Sequence, residues 1–135
     1  MEKLVFIIDD DPVYLNFMKG HFRQMSGYQV ETYPEGEEAL KQLASKSPNL
    51  IILDHNLSNP DKDGIYFLKR IKKLKPSIPT LYITGNSTPT VRQEAIKAGA
   101  ETLIVKSDSF LVQLRTAIDE INAPKKGFLS KIFGK

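Results

Sequence analysis

Short apolar runs punctuate the chain, and between them apolar residues recur three or four apart. Leu4-Val5-Phe6-Ile7-Ile8, Leu50-Ile51-Ile52-Leu53, Thr80-Leu81-Tyr82-Ile83 and Thr102-Leu103-Ile104-Val105 read as strands buried on both faces. Tyr28 to Tyr33 is more polar and reads as an edge strand. A first helix opens at Pro12 behind an Asp11 N-cap, carries Tyr14, Phe17, Met18, Phe22 and Met25 at helical spacing, and closes at Gly27. Glu35-Gly36-Glu37-Glu38 opens a second helix with Leu40 and Leu43 inward. Gly64 leads into a third, with Leu68, Ile71 and Leu74 on one face. Pro89 starts a fourth, with Val91, Ala95 and Ala98 inward and Gly99 as C-cap, and a fifth from about Asp108 to Asn122 buries Leu111, Leu114, Ile118 and Ile121. Strands alternating with helices predict an α/β fold, a parallel sheet with helices on both faces.

Parallel strands bring their carboxyl ends to one edge, where such sheets bind ligands. The first strand ends at Asp9 and Asp10, the third at Asp54, the fourth at Thr84 and the fifth at Lys106. Converging carboxylates repel, and without a counter-charge at least one pKa rises. A hard divalent cation, Mg²⁺ or Mn²⁺, resolves the repulsion. A cation, a free carboxylate, a hydroxyl and a lysine together equip a site for phosphoryl transfer, with the carboxylate attacking phosphorus.

Composition narrows the classes. With 135 residues and 41% hydrophobic content, one domain with a real core is expected. There is no cysteine, hence no disulfide framework and no thiolate chemistry. No apolar run reaches the length of a membrane span, and the N-terminus lacks a signal-peptide layout, so a cytoplasmic location is expected. The net charge of +3 is unevenly placed: residues 123–135 carry four lysines and no acid, which leaves residues 1–122 at −1. A near-neutral body argues against nucleic-acid binding. The division expected is therefore 1–122 as the domain and 123–135 as a basic amphipathic tail. As a helix, that tail groups Phe128, Leu129, Ile132 and Phe133 opposite Lys131 and Lys135, a design suited to peripheral contact with an anionic membrane. It is similar to the C-terminal membrane-targeting helix of the ATPases that position the bacterial division septum. Ordering eleven residues costs on the order of 11–20 kcal/mol, against roughly 6–12 kcal/mol from burying four large apolar side chains. Weak, reversible binding is the expectation.

Ile8-Asp9-Asp10-Asp11-Pro12, Leu53-Asp54, Asp63-Gly64, Ile83-Thr84-Gly85 and Val105-Lys106 resemble the receiver domains of two-component response regulators, over residues 3–122. The resemblance implies a flavodoxin-like, doubly wound, five-stranded parallel sheet in the order 2-1-3-4-5 with five helices. It implies Asp54 as phosphoacceptor, Asp10 as direct Mg²⁺ ligand with Asp9 beside it, and Asn56 as the donor of a main-chain carbonyl to the metal. It further implies Thr84 as switch hydroxyl and Lys106 as the ion-pairing lysine. The phosphoryl donor would be a sensor histidine kinase or a histidine phosphotransfer protein. Output would leave through the fourth helix, fifth strand and fifth helix, roughly Ser87–Ala98 and Thr102–Ile121, to a protein partner. The thirteen residues beyond Asn122 are too few for an output module. A monomer or weak dimer, or a shuttle in a phosphorelay, fits the same pattern.

Three positions depart from the family. Ser107 replaces the proline that usually follows the lysine across a cis peptide; cis costs roughly 2.5–4 kcal/mol without proline, which favours trans. Leu103 replaces the aromatic that usually moves with the threonine. The loop from Leu57 to Gly64 is two residues longer than the common pattern. Elsewhere plain readings hold: His55 as a solvated loop residue, His21 as surface, the aromatic residues of the first helix as core, and Asp61 and Asp63 as polar loop. Two rivals remain at this point. A small Mg²⁺-dependent phosphohydrolase would carry a second acid where Asn56 stands. A degenerate receiver would dock partners without phosphate, against the intact Asp54, Thr84 and Lys106.

Overall fold

The computed structural model describes residues 2–123, so the tail expectation, with Phe128, Leu129, Ile132 and Phe133, lies outside the described residues. The elements alternate as β1 (Lys3–Ile8), α1 (Pro12–Gln24), β2 (Tyr28–Tyr33), α2 (Gly36–Leu43), β3 (Leu50–Asp54), α3 (Gly64–Leu74), β4 (Thr80–Thr84), α4 (Pro89–Lys97), β5 (Thr102–Val105) and α5 (Phe110–Asn122). The sheet order is β2-β1-β3-β4-β5 and every pairing is parallel. This is the flavodoxin-like arrangement expected. Every residue of β3 and β4 is buried, as their central places require, and β2 is the half-exposed edge.

The two-residue period of a strand divides the core into two layers. Phe6, Ile8, Ile51, Leu53, Tyr82 and Leu103 face α2, α3 and α4. Val5, Ile7, Ile52, Leu81, Ile83 and Ile104 face α1 and α5. Helix starts are fixed by side-chain caps. Asp11 accepts from the Val13 amide, Asp63 from the Tyr66 amide and Thr88 from the Val91 amide. Gly27 and Gly99 adopt φ of 89° and 111° in the turns after α1 and α4, a region that suits glycine.

The helical pattern overreached at the ends of two faces. Phe17 is 52% exposed and Leu74 is 54% exposed. Leu40, Val91, Ala98, Leu111 and Ile121 are only partly buried, whereas Phe110, the first residue of α5, is fully inside. α1 ends at Gln24 with Met25 as C-cap, two residues before Gly27. Neither histidine is a plain surface residue. His21 is half-buried with its ring edge-on to Phe22, and His55 is half-buried against Tyr82. The Lys106–Ser107 peptide is trans.

A Cβ at Gly64 would lie 2.5 Å from the Asp54 carbonyl oxygen and 2.7 Å from His55 Cα, and against the Tyr82 hydroxyl. Backbone atoms cannot yield as a side-chain tip can. Gly64→Ala is therefore expected to destabilise the fold by about 1–3 kcal/mol in urea unfolding. A Cβ at Gly20, inside α1, meets nothing within 4 Å. Gly20→Ala is expected to stabilise by about 0.5–1 kcal/mol. Equal effects from the two substitutions would contradict this account.

Candidate functional site

The parallel sheet delivers the strand-end residues to one edge. Asp9 follows β1, Asp54 ends β3, Thr84 ends β4 and Lys106 follows β5. Asp9 is 0% exposed and Asp54 1%, while Asp10 faces solvent. Lys106 Nζ lies 2.9 Å from Asp9 Oδ2 and 3.3 Å from Asp54 Oδ2. Its third neighbour is the face of Tyr14, 4.4 Å from the ring centroid. That ring stands edge-on to Phe110. The ammonium is thus seated between two carboxylates and an aromatic face, all of which favour its charged form.

The backbone holds the acids in place. Asp9 Oδ1 accepts from the Asp11 amide at 2.9 Å. Asp10 Oδ2 accepts from the Ser58 hydroxyl at 3.3 Å, a contact supplied by the lengthened loop. Asp54 Oδ1 is buried and has no hydrogen-bond partner. Thr84 Oγ1 is turned into its own loop, donating to the Asn86 carbonyl at 3.0 Å and accepting from the Asn86 amide at 3.3 Å. Asn56 lies two residues past Asp54, on the exposed part of the loop.

Burial, and then the charge of Asp9, push the Asp54 carboxyl up to about 7 against the opposing pull of Lys106. Burial alone would lower Lys106, but its hydrogen bond to Asp9 and the charges of Asp54 and Asp9 outweigh it and hold the lysine above its usual value. One carboxylate oxygen each from Asp9, Asp10 and Asp54 lie within 4.8 Å of one another. One ammonium against three carboxylates leaves a formal deficit of two positive charges. A hard divalent cation would cancel that deficit and could give the orphaned Asp54 Oδ1 a partner, so the residues fit Mg²⁺ or Mn²⁺. Tyr14, Ser58 and the His55–Tyr82 pair were not anticipated as site residues. The signals for them are faint: Ser58 in the loop extension, Tyr14 in the first turn after the acids, and Tyr82 two residues before Thr84 as the one aromatic of its strand.

The raised Asp54 pKa has a consequence for stability. Below the ordinary carboxyl value of 3.8 folded and unfolded chains are both protonated there; between it and about 7 only the fold keeps the proton, so stability drains as pH rises through that window. Asp54→Asn removes the effect. In buffer free of divalent cations it is expected to stabilise the chain by roughly 2–4 kcal/mol near pH 8 and to leave it unchanged near pH 4. Urea melts across that range test this, and a gain independent of pH would contradict it.

Residues 5–133 match the family model of the response regulator receiver domain. The nitrogen assimilation regulatory protein NtrX of Azorhizobium caulinodans is 31% identical over 120 residues, which cover 87% of this chain and 26% of that protein. The transcriptional regulatory protein ZraR of Salmonella typhimurium is 34% identical over 106 residues, covering 78% of this chain and 23% of that protein. The chain spans about a quarter of the length of these curated relatives. Among solved structures, a CheY-like receiver domain protein from Methanospirillum hungatei superposes with a TM-score of 0.80 at 26% identity, covering 90% of this chain and 95% of that one. The chemotaxis protein CheY4 of Vibrio cholerae superposes with a TM-score of 0.78 at 25% identity, covering 90% and 99%. The parallel sheet and its strand order thus agree with the sequence match, and the chain belongs to the response regulator receiver domain family.

Proposed function

We propose that this chain is a phosphorylation switch whose acceptor is Asp54, charged by a histidine kinase or a histidine phosphotransfer protein in the presence of Mg²⁺. The observation that carries the reading is the buried, unpartnered Oδ1 of Asp54 beside an ammonium already shared with Asp9. Asp9, Asp10, Asp54 and the main-chain carbonyl of Asn56 are assigned to hold the cation. A Mg²⁺ bound there supplies the charge that keeps Asp54 ionised and neutralises phosphoryl oxygens.

The remaining work belongs to the chain. A carboxylate oxygen of Asp54 forms the new bond to phosphorus as the bond from phosphorus to the donor imidazole nitrogen breaks, the imidazole leaving with the electron pair. Lys106, pre-seated by Asp9 and Tyr14, donates to the incoming phosphoryl oxygens. Thr84 gives up its bonds to Asn86 and donates to the same group. That movement remodels the turn between β4 and the Thr88 cap of α4, biasing a two-state equilibrium. The output face runs over Ser87–Ala98 and Thr102–Ile121. Ile96 (47% exposed) and Val112 (69% exposed) lie within those spans, and a groove of about 280 Å³ runs beside β5 and α5, lined by Leu103, Val112 and Thr116 among others. Among the described residues no helix is long and apolar enough to cross a membrane.

Intact mass after treatment with acetyl phosphate tests the acceptor. The wild type is expected to gain one phosphoryl mass only with Mg²⁺, and Asp54→Asn to gain none. Lys106→Ala is expected to be phosphorylated about 10²-fold more slowly. An adduct on Asp54→Asn, or a wild type that takes up neither phosphoryl group nor beryllofluoride, would sink the proposal. A second prediction concerns the cation and the proton, which compete for Asp54. The rise in melting temperature produced by saturating Mg²⁺ is therefore expected to be larger at about pH 8 than at about pH 5. An equal rise at both would place the cation elsewhere.

A further inference from the structure

Tyr82 stands in the middle of β4, fully buried, paired in register with Leu53 on one side and Leu103 on the other. Its ring belongs to the layer that packs on α3 and α4. Its hydroxyl emerges at the carboxyl edge of the sheet and lies 2.5 Å from His55 Nδ1, with the two rings tilted at 65°. Burial, followed by the charges of Asp63, Asp54 and Glu94, raises its pKa, so the phenol stays neutral.

His55 is the residue immediately after Asp54, and it is anchored three times. Its amide donates to the Ile83 carbonyl at 2.8 Å, its carbonyl accepts from the Gly64 amide at 2.8 Å, and its side chain meets Tyr82. The next residue is Asn56. Beyond it the chain runs through a loop, 55–63, whose residues are largely exposed. A loop of that length samples many paths unless its first residues are restrained. The main-chain bonds fix where His55 sits. The bond to Tyr82 adds a side-chain anchor to the residue from which Asn56 leaves.

We propose that Tyr82 is a positioning residue of the metal site: acting through His55, it sets the path of the chain leaving β3 so that Asn56 presents its carbonyl beside Asp10 and Asp54. The proposal rests on the phosphorylation reading above and deepens it. The competing role is a core tyrosine whose hydroxyl takes the nearest partner. That role affects stability alone, whereas a positioning role shows in the affinity for the cation.

Calorimetric titration of Mg²⁺ into the full chain separates them, using the wild type, Tyr82→Phe, His55→Ala and the double variant. Tyr82→Phe keeps the ring and loses one oxygen. Each single variant is expected to bind Mg²⁺ about three- to tenfold more weakly, and the double variant no more weakly than either single. At saturating Mg²⁺, the rate of phosphorylation by acetyl phosphate is expected to return to within about twofold of the wild type, since only assembly of the site is impaired. Wild-type Mg²⁺ affinity in Tyr82→Phe, or additive losses in the double variant, would overturn the proposal. If Tyr82→Phe fails to fold, His55→Ala decides on its own, because that residue is only half-buried. A wild type that binds no Mg²⁺ overturns the metal-site reading, and Tyr82's role with it; a wild type that binds while both single variants bind equally well overturns Tyr82's role alone.

Discussion

Lys106 is the charge on which the carboxyl edge of the sheet depends. Asp9 and Asp54 are both buried, and an uncompensated buried carboxylate costs several kcal/mol. A lysine suits the position because a compact ammonium can reach both acids at once, 2.9 and 3.3 Å away, whereas the wider planar fork of arginine prefers to engage one carboxylate with two donors. The Tyr14 face closes the third side without offering a competing hydrogen bond. Even so, one positive charge does not settle three acids. The residue of that imbalance appears on Asp54, whose carboxyl is pushed up to about 7 and whose Oδ1 is left unpartnered. The fold gives up stability at the point where a cation and a phosphoryl group would restore it.

Much of this was legible in the sequence because it follows from periodicity. Unbroken apolar runs identified the buried strands, and the parallel sheet then required their terminal residues to share an edge. Asp9, Asp10, Asp54, Thr84 and Lys106 need no side-chain detail to be brought together. What periodicity misses is set by the width of a helix face and by loop paths. Phe17 and Leu74 keep helical spacing yet fall at the margin of the covered stripe, and each is about half exposed. Phe110 starts its helix and so falls outside the repeating pattern, yet it fills the layer under Tyr14. The Ser58 contact to Asp10 depends on how two additional loop residues fold, and no local pattern encodes that. The partnership of His55 and Tyr82 joins residues 27 apart through strand pairing, so neither residue carries the signal alone.

The departures from the family pattern leave Asp9, Asp10, Asp54, Thr84 and Lys106 in place. Leu103, where an aromatic is usual, is buried and lies opposite Tyr82 in the β4–β5 register. Tyr82 stands between Leu103 and the strand that ends at Asp54, and its hydroxyl is bonded to His55 at the start of the loop after that strand. Ser107 follows Lys106 through a trans peptide and accepts from the Phe110 amide at 3.0 Å, leading directly into α5. The lysine is thereby tied to the helix whose first residue supports the Tyr14 ring.

β4 is the element through which these contacts communicate. Thr84 and Tyr82 share one face of it by the period of a strand. The Thr84 hydroxyl holds the turn that leads to α4, and the Tyr82 hydroxyl holds the loop that leaves β3. The Thr84 carbonyl accepts from the Lys106 amide, which adds the loop after β5. Three loops around Asp54 are thus fastened to three atoms of one strand, and every residue of that strand is buried. A close-packed strand between two paired neighbours cannot bend by degrees. On the proposed reading, charge arriving at Asp54 would leave β4 in place and act on the side-chain hydroxyls at its end. Of these, Thr84 holds main-chain atoms of the turn toward α4 and would release them on taking a new acceptor, while the Tyr82 ring is fixed in the core. One strand then meets both demands of the proposed switch: a hydroxyl free to change partners, two residues from a hydroxyl that would keep the site assembled while it does so.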